Sequence, residues 1–153
     1  MKITSLFETK TQSFNDFPLT EAIDVEGIND HNCDQVIKRC LAEVSRFHVA
    51  HWKTDSYSAH EAVGGFYEGL VGLTDTIAEK FIALGGNLDG RVSIRFSAES
   101  DIESMRMNLL DFREVISEAI DETGMDKNIM SVNDSLIQIQ NLIDSTIYKL
   151  DLI

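Results

Sequence analysis

Apolar residues recur along most of this chain at alternating steps of three and four, the spacing that gathers them on one face of an α-helix. The first stripe, Val36/Ile37, Cys40/Leu41, Val44 and Phe47/His48, predicts a helix from about Asn32 to Lys53. A second, Val63, Phe66, Leu70, Leu73, Ile77, Phe81 and Leu84, predicts one from about Ser58 to Leu84, with Gly85-Gly86 as its stop signal. Ser100-x-x-Glu103 has the form of a capping box. Behind it Ile102, Met105, Leu109, Phe112, Ile116 and Ala119 mark a third helix, ending near Glu122 with Gly124 as the break. A fourth, about Asp126 to Leu150, turns Leu136, Ile139, Ile143 and Leu150 inward. Residues 1–30 are weakly patterned and read as an arm with at most one short helix, leaving residues 31–153 as the helical domain.

Four amphipathic helices predict an all-α four-helix bundle. Its topology turns on residues 87–99, where Arg91–Phe96 alternates polar and apolar, the period of an extended stretch. About 13 extended residues span roughly 43 Å at 3.3 Å each, and the second helix is about 40 Å long. The connection can therefore run the length of the bundle, which favours a ferritin-like fold with a long crossover between helices two and three. At 153 residues the chain is one domain, large enough to bury roughly 70% of its unfolded surface without disulfides or a structural metal.

Charge narrows the function classes. A net charge of −13 opposes binding to nucleic acid, which rests on Lys and Arg neutralising phosphates, and equally opposes anionic membranes. An acidic field suits a cation-handling protein, although it serves solubility as well. No run approaches a membrane span, and Met1–Lys10 has no apolar core of a signal peptide. Cys33 and Cys40 lie about 10.5 Å apart along one helix, too far for a disulfide between them. They read as free thiols in a reducing cytoplasm.

Candidate chemistry is confined to one stretch. His48, His51 and His60 flank the turn near Asp55 between two antiparallel helices, so all three lie at one end of the bundle. Asp75 and Glu79 form an i, i+4 pair on the second helix, with Glu68 on the same flank. Imidazoles and carboxylates on neighbouring helices are the donors a transition metal takes, and mixed N/O ligation suits iron or zinc. Taken singly, each histidine is also explained as a core or capping imidazole, and the carboxylates as a solvated helix edge. Spacing restricts the metal reading. Asp75 lies 15 residues beyond His60, roughly 22 Å along the axis, and ligand bonds of about 2.0–2.2 Å cannot bridge that gap within one chain. A shared site needs a two-fold dimer pairing two copies of the second helix antiparallel, which makes two equivalent sites.

His51-Trp52, His60, Asp75-x-x-x-Glu79 and Ala83-Leu84-Gly85-Gly86 resemble the Dps group (DNA-binding proteins from starved cells), ferritin-like miniferritins. The stretch His51-Trp52-Lys53-Thr54-x-Ser56-Tyr57-x-x-His60-x-Ala62-x-Gly64-x-Phe66-Tyr67 resembles the Dps-like proteins of bacteriophages more closely. The resemblance covers roughly residues 44–86. It implies a ferroxidase centre in which His51 and His60 come from one subunit and Asp75 and Glu79 from its two-fold neighbour. Two positions depart from the family pattern. Its two histidines are twelve residues apart, whereas His51 and His60 are nine apart and His48 is the residue twelve before His60. Where the family has an aspartate four residues after the second histidine, this chain has Gly64.

The leading expectation is thus a cytoplasmic homo-oligomer, a dimer or a larger cage, with iron or another divalent metal such as zinc at His48, His51, His60, Asp75 and Glu79. As a ferroxidase it would oxidise Fe(II) with peroxide or oxygen and store the product. The alternative keeps the bundle but not the metal chemistry, as a structural or interaction protein of phage assembly or the virion. Neither reading involves nucleic acid or a membrane.

Overall fold

Each apolar stripe becomes a helix. The computed structural model describes residues 30–123 and 129–153, which form α1 (Asp30–Lys53), α2 (Tyr57–Ala83), α3 (Ile102–Thr123) and α4 (Met130–Asp151) with no strand among the described residues. The arm assigned to residues 1–30 lies outside the described residues but for Asp30, as do Gly124 and the expected start of the fourth helix at Asp126.

α1 packs against α2 and α3, and α4 closes the bundle against the same two. Side-chain pairs set the directions. Arg46 reaches Asn108 at 3.4 Å and Arg39 reaches Asp111 at 2.5 Å, so α3 runs antiparallel to α1. Arg106 meets Asp151 and Arg113 meets Asp144, so α4 runs antiparallel to α3. Lys80 donates to the Ser131 carbonyl and to Ser135 Oγ, joining the end of α2 to the start of α4.

The connection from α2 to α3 is held at both ends of α1. The Asp89 amide donates to Asp34 Oδ1 at 3.2 Å, and Lys53 Nζ donates to the Ala98 carbonyl at 2.6 Å. Residues 89–98 therefore run beside α1 from its first turns to its last residue.

The core is the sum of the four stripes. Phe47, Phe66, Leu70, Ile77, Met105, Leu109, Phe112, Ile116, Leu136, Ile139, Ile143 and Leu150 are its largest fully buried side chains. Phe47 meets Phe66 edge to face at 4.8 Å between centroids, a geometry that adds about 0.5–1.5 kcal/mol to the area buried. Leu84 and Leu41 differ from expectation and are exposed. Leu84 is the C-cap of α2, where the chain turns away from the core through Gly85 at φ +89°.

That turn is a Schellman motif: the Gly86 amide donates to the Phe81 carbonyl and the Gly85 amide to the Ile82 carbonyl. The start of α3 corrects the capping box expected at Ser100. Asp101 takes the role instead, its Oδ1 accepting from the Ser104 amide at 2.8 Å. Among the described residues no helix is long and apolar enough to cross a membrane.

Candidate functional site

Two helix ends and a three-residue turn build the site. Ser56 caps α2 by accepting from the Ala59 amide, and the Thr54 amide still bonds back to the Ala50 carbonyl of α1. The chain thus reverses within residues 54–56, and the last turn of α1 faces the first turn of α2. His51 and His60 meet across this reversal.

They do so reciprocally. His51 Nδ1 lies 3.0 Å from the His60 carbonyl, and His60 Nδ1 lies 2.9 Å from the His51 carbonyl. A carbonyl only accepts, so each Nδ1 carries its proton and, in the neutral ring, each Nε2 keeps its lone pair. The rings stack at 3.6 Å between centroids, inclined by 25°. The clasp also occupies the His51 carbonyl, one of those that a helix C-terminus leaves without an intrahelical partner.

The clasp explains Gly64. A Cβ there would lie 3.0 Å from His51 Nδ1 and 3.1 Å from Cε1, so the ring takes the space that a side chain at 64 would need. Gly64 and the stacked histidines are one packing solution.

His48 stands beside the clasp. Its ring stacks on Tyr67 at 4.2 Å and touches Trp52 at 4.3 Å, while Tyr67 meets His51 edge-on at 5.4 Å. His48 and His51 are 6.5 Å apart between centroids. All three histidines are half-buried, whereas Trp52 is 67% exposed.

Asp75 and Glu79 are not brought to the histidines within the protomer. Both are exposed on α2, roughly 22 Å or more along the axis from His60, and neither has a hydrogen bond or ion pair among the described residues. They continue a row of exposed positions, Glu61, Gly65, Glu68, Gly72, Asp75 and Glu79, at alternating steps of four and three. That row contains four carboxylates and no cation. Among the described residues no three His, Cys, Asp or Glu side chains of one protomer group as ligands of a metal ion.

Sequence reasoning missed a buried charge cluster lower in the bundle. Glu43 is fully buried, with Oε1 2.7 Å from Arg39 Nε and 3.1 Å from Arg46 Nη1. Its Oε2 and Arg46 Nε have no hydrogen-bond partner. Burial pushes the Glu43 carboxyl above its ordinary range, against the opposing pull of Arg46 and Arg39. The signal was present: Glu43 lies three residues after Cys40 and four before Phe47, on the core stripe, with arginines at i−4 and i+3. The two cysteines are free, as expected. Burial pushes Cys40 up to about 12, and burial with the Asp34 charge pushes Cys33 up to about 11. Both remain thiols at neutral pH, unsuited to thiolate chemistry.

No curated protein and no solved structure is similar to the chain. A family model does match, over residues 51–150, from the first histidine of the clasp to the end of the α4 core. His48 falls just outside that stretch. With most of its length covered, the chain belongs to a family of unknown function, DUF5856.

Proposed function

We propose that the protein is a ferritin-like oligomer of the miniferritin type that binds iron or a similar divalent metal between two copies of α2. The observation that carries this reading is the fixed tautomer of His51 and His60. Metal-ligating histidines characteristically donate the second ring N–H to a carbonyl or carboxylate, which orients the ring and presents the other nitrogen. Both imidazoles here are held that way. The path of residues 89–98 beside α1 supports the ferritin-like crossover.

The partner supplies the carboxylates. With two α2 helices antiparallel about a dyad between Glu68 and Gly69, His60 lies level with the stretch between the partner's Asp75 and the partner's Glu79. The exposure of Asp75 and Glu79 and their lack of partners support this. A bound metal lies in the plane of its imidazole, and planes inclined by only 25° at 3.6 Å do not converge on one ion at about 2.0–2.1 Å. The pair therefore takes at most one ion per ring, and His48 stands beside them. As a ferroxidase, the site would bind Fe(II) as substrate and oxidise it with peroxide or oxygen.

A second reading is favoured by Gly64. With the His51 ring packed over it, the clasp serves as a pin between α1 and α2 in a metal-free structural or interaction protein.

Anaerobic Fe(II) titration, followed by peroxide, separates the two. Asp75→Ala and Glu79→Gln alter exposed side chains without touching the core. Saturable binding in the wild type that both variants and His60→Ala lose supports the metal site. Binding that is absent, or unchanged in the variants, overturns it in favour of the pin.

A further inference from the structure

α4 carries a second row of apolar side chains, on the side opposite the core. Met130, Ile137, Tyr148 and Leu152 are each at least 39% exposed. Asp134, Asn141 and Ser145, all exposed, fill the positions between them. At 3.6 residues per turn these seven fall within about 40° of one line along the helix, while Val132, Ile139, Ile143 and Leu150 turn into the core behind it. Leu142 packs over Gly69 of α2 on one flank, and Gln140 bonds Ser117 of α3 on the other. The row itself faces neither neighbour.

Charge sets this face apart. The exposed row of α3, Glu103, Met107, Asp111, Glu114, Glu118 and Asp121, holds five carboxylates, and that of α2 holds four. The row of α4 holds one, Asp134. On its α3 flank Asp144 and Asp151 are already paired with Arg113 and Arg106. In a chain of net charge −13, this is the helix face that a second acidic copy meets with least repulsion.

We propose that the α4 face pairs with a second copy of itself, antiparallel, about a dyad through Asn141. An isologous contact must be self-complementary, and the row is. Its steps, 4, 3, 4, 4, 3, 4, read the same from either end. Met130 then comes level with the partner's Leu152, Ile137 with the partner's Ser145, and Asp134 with the partner's Tyr148. The Tyr148 hydroxyl faces a carboxylate to which it can donate, and the partner's Lys149 lies on the same edge as Asp134. Asp134 and Lys149 are exposed and make no ion pair among the described residues. They lie about 22 Å apart on one helix, so they meet only between two copies. At the dyad Asn141 meets the partner's Asn141, and a paired amide in an apolar seam fixes register. This contact goes beyond the proposed metal site: it leaves α2 free and needs no ion. A foreign helix is the competing occupant.

Sedimentation equilibrium of the full chain in chelator, which keeps metal out, tests the pairing. Twice the chain mass is expected. Ile137→Glu enters an isologous interface twice and raises the dissociation constant by about tenfold or more. Met107→Glu, the same kind of change on the row of α3, leaves it unmoved. A monomer at every concentration, or equal weakening by both substitutions, overturns the proposal. Direction has its own test. Asp134→Lys weakens the dimer and Lys149→Glu added to it restores association; no restoration overturns the antiparallel register. In a Cys33→Ser background, Asp134→Cys with Tyr148→Cys joins two chains on mild oxidation. Neither alone does, because its two copies sit about 21 Å apart. Linking by either alone as readily as by both, or no linking at all, overturns the pairing.

Discussion

Gly64 and the ring of His51 are sized to each other, and this sets a sharp test at the scale of single residues. A Cβ at 64 meets the ring at 3.0 Å, closer than normal packing, so Gly64→Ala must shift the clasp. Overpacking of this kind costs about 1–3 kcal/mol, to be read as a lower urea midpoint. With His51→Ala the obstacle is gone, and Gly64→Ala then becomes neutral or stabilising, because alanine exceeds glycine by about 1 kcal/mol in a helix. Glu43 sets the second test. Removing it as Glu43→Ala leaves Arg39 and Arg46 without a buried partner, a loss of about 3–5 kcal/mol. Its carboxyl is raised in the folded state, so the folded protein holds that proton at a pH where the unfolded chain has released it. Stability from this group therefore falls as pH rises through the window between the ordinary and the raised pKa, and is constant above it. Urea titrations should show the wild type gaining on Glu43→Gln as pH drops from neutral through that window. These residues also show how far sequence reaches. Glu43 stands on the apolar stripe between Cys40 and Phe47, so its burial was legible from position, although its residue type pointed to solvent. The clasp was not legible, because periodicity assigns a residue to a helix face without saying which carbonyl a ring will reach. Only the gathering of His48, His51 and His60 at one end followed from spacing.

At the scale of elements, the helices were legible and their ends less so. Stripes of apolar residues are set by burial over many positions and tolerate error at any one. A helix end depends on one or two hydrogen bonds, which neighbouring residues compete to make. Ser100-x-x-Glu103 fits the capping pattern, but Asp101, one residue on, makes the bond to Ser104 and sets the start of α3. That bond holds the Asp101 carboxyl below its usual range. Its contribution is present above the ordinary aspartate pKa and lost as pH falls through the depressed one. The Ser104 amide resonance should therefore titrate below the ordinary aspartate value of about 3.9, and Asp101→Asn should abolish that titration. Ser56 is the cap of α2, and Ser56→Ala should cost about 1 kcal/mol in unfolding free energy. Gly86→Ala should cost more than Ser56→Ala, because its Cβ would fall 2.3 Å from the Phe81 ring. The Schellman turn would have to open, releasing Phe81 from the bottom of the core.

At the scale of the whole molecule, charge and assembly pull against each other. The net charge of −13 repels any second copy, and the outward row of α2 concentrates that repulsion in Glu61, Glu68, Asp75 and Glu79, a row of exposed positions that contains no cation. Pairing α2 with itself, as the proposed metal site requires, brings two such rows together. Such a dimer is linked to its ions: cations that bind only the paired state stabilise it by mass action. Without them, only screening helps, and at 0.1 M salt that extends over about 10 Å. Sedimentation velocity of the full chain should thus show a lighter species in chelator and low salt, and a heavier one when Mn(II) or anaerobic Fe(II) is added. Asp75→Asn with Glu79→Gln moves the two conditions in opposite directions. It removes repulsion, so association in chelator strengthens, and it removes ligands, so added metal no longer changes the mass. An interface that merely dislikes charge would respond to the substitution and to sodium chloride but show no selective response to the divalent ion at equal ionic strength. A dimer that is unchanged by chelator, salt and the double substitution must use another face. The bundle would then stand, but α2 would not be its meeting surface.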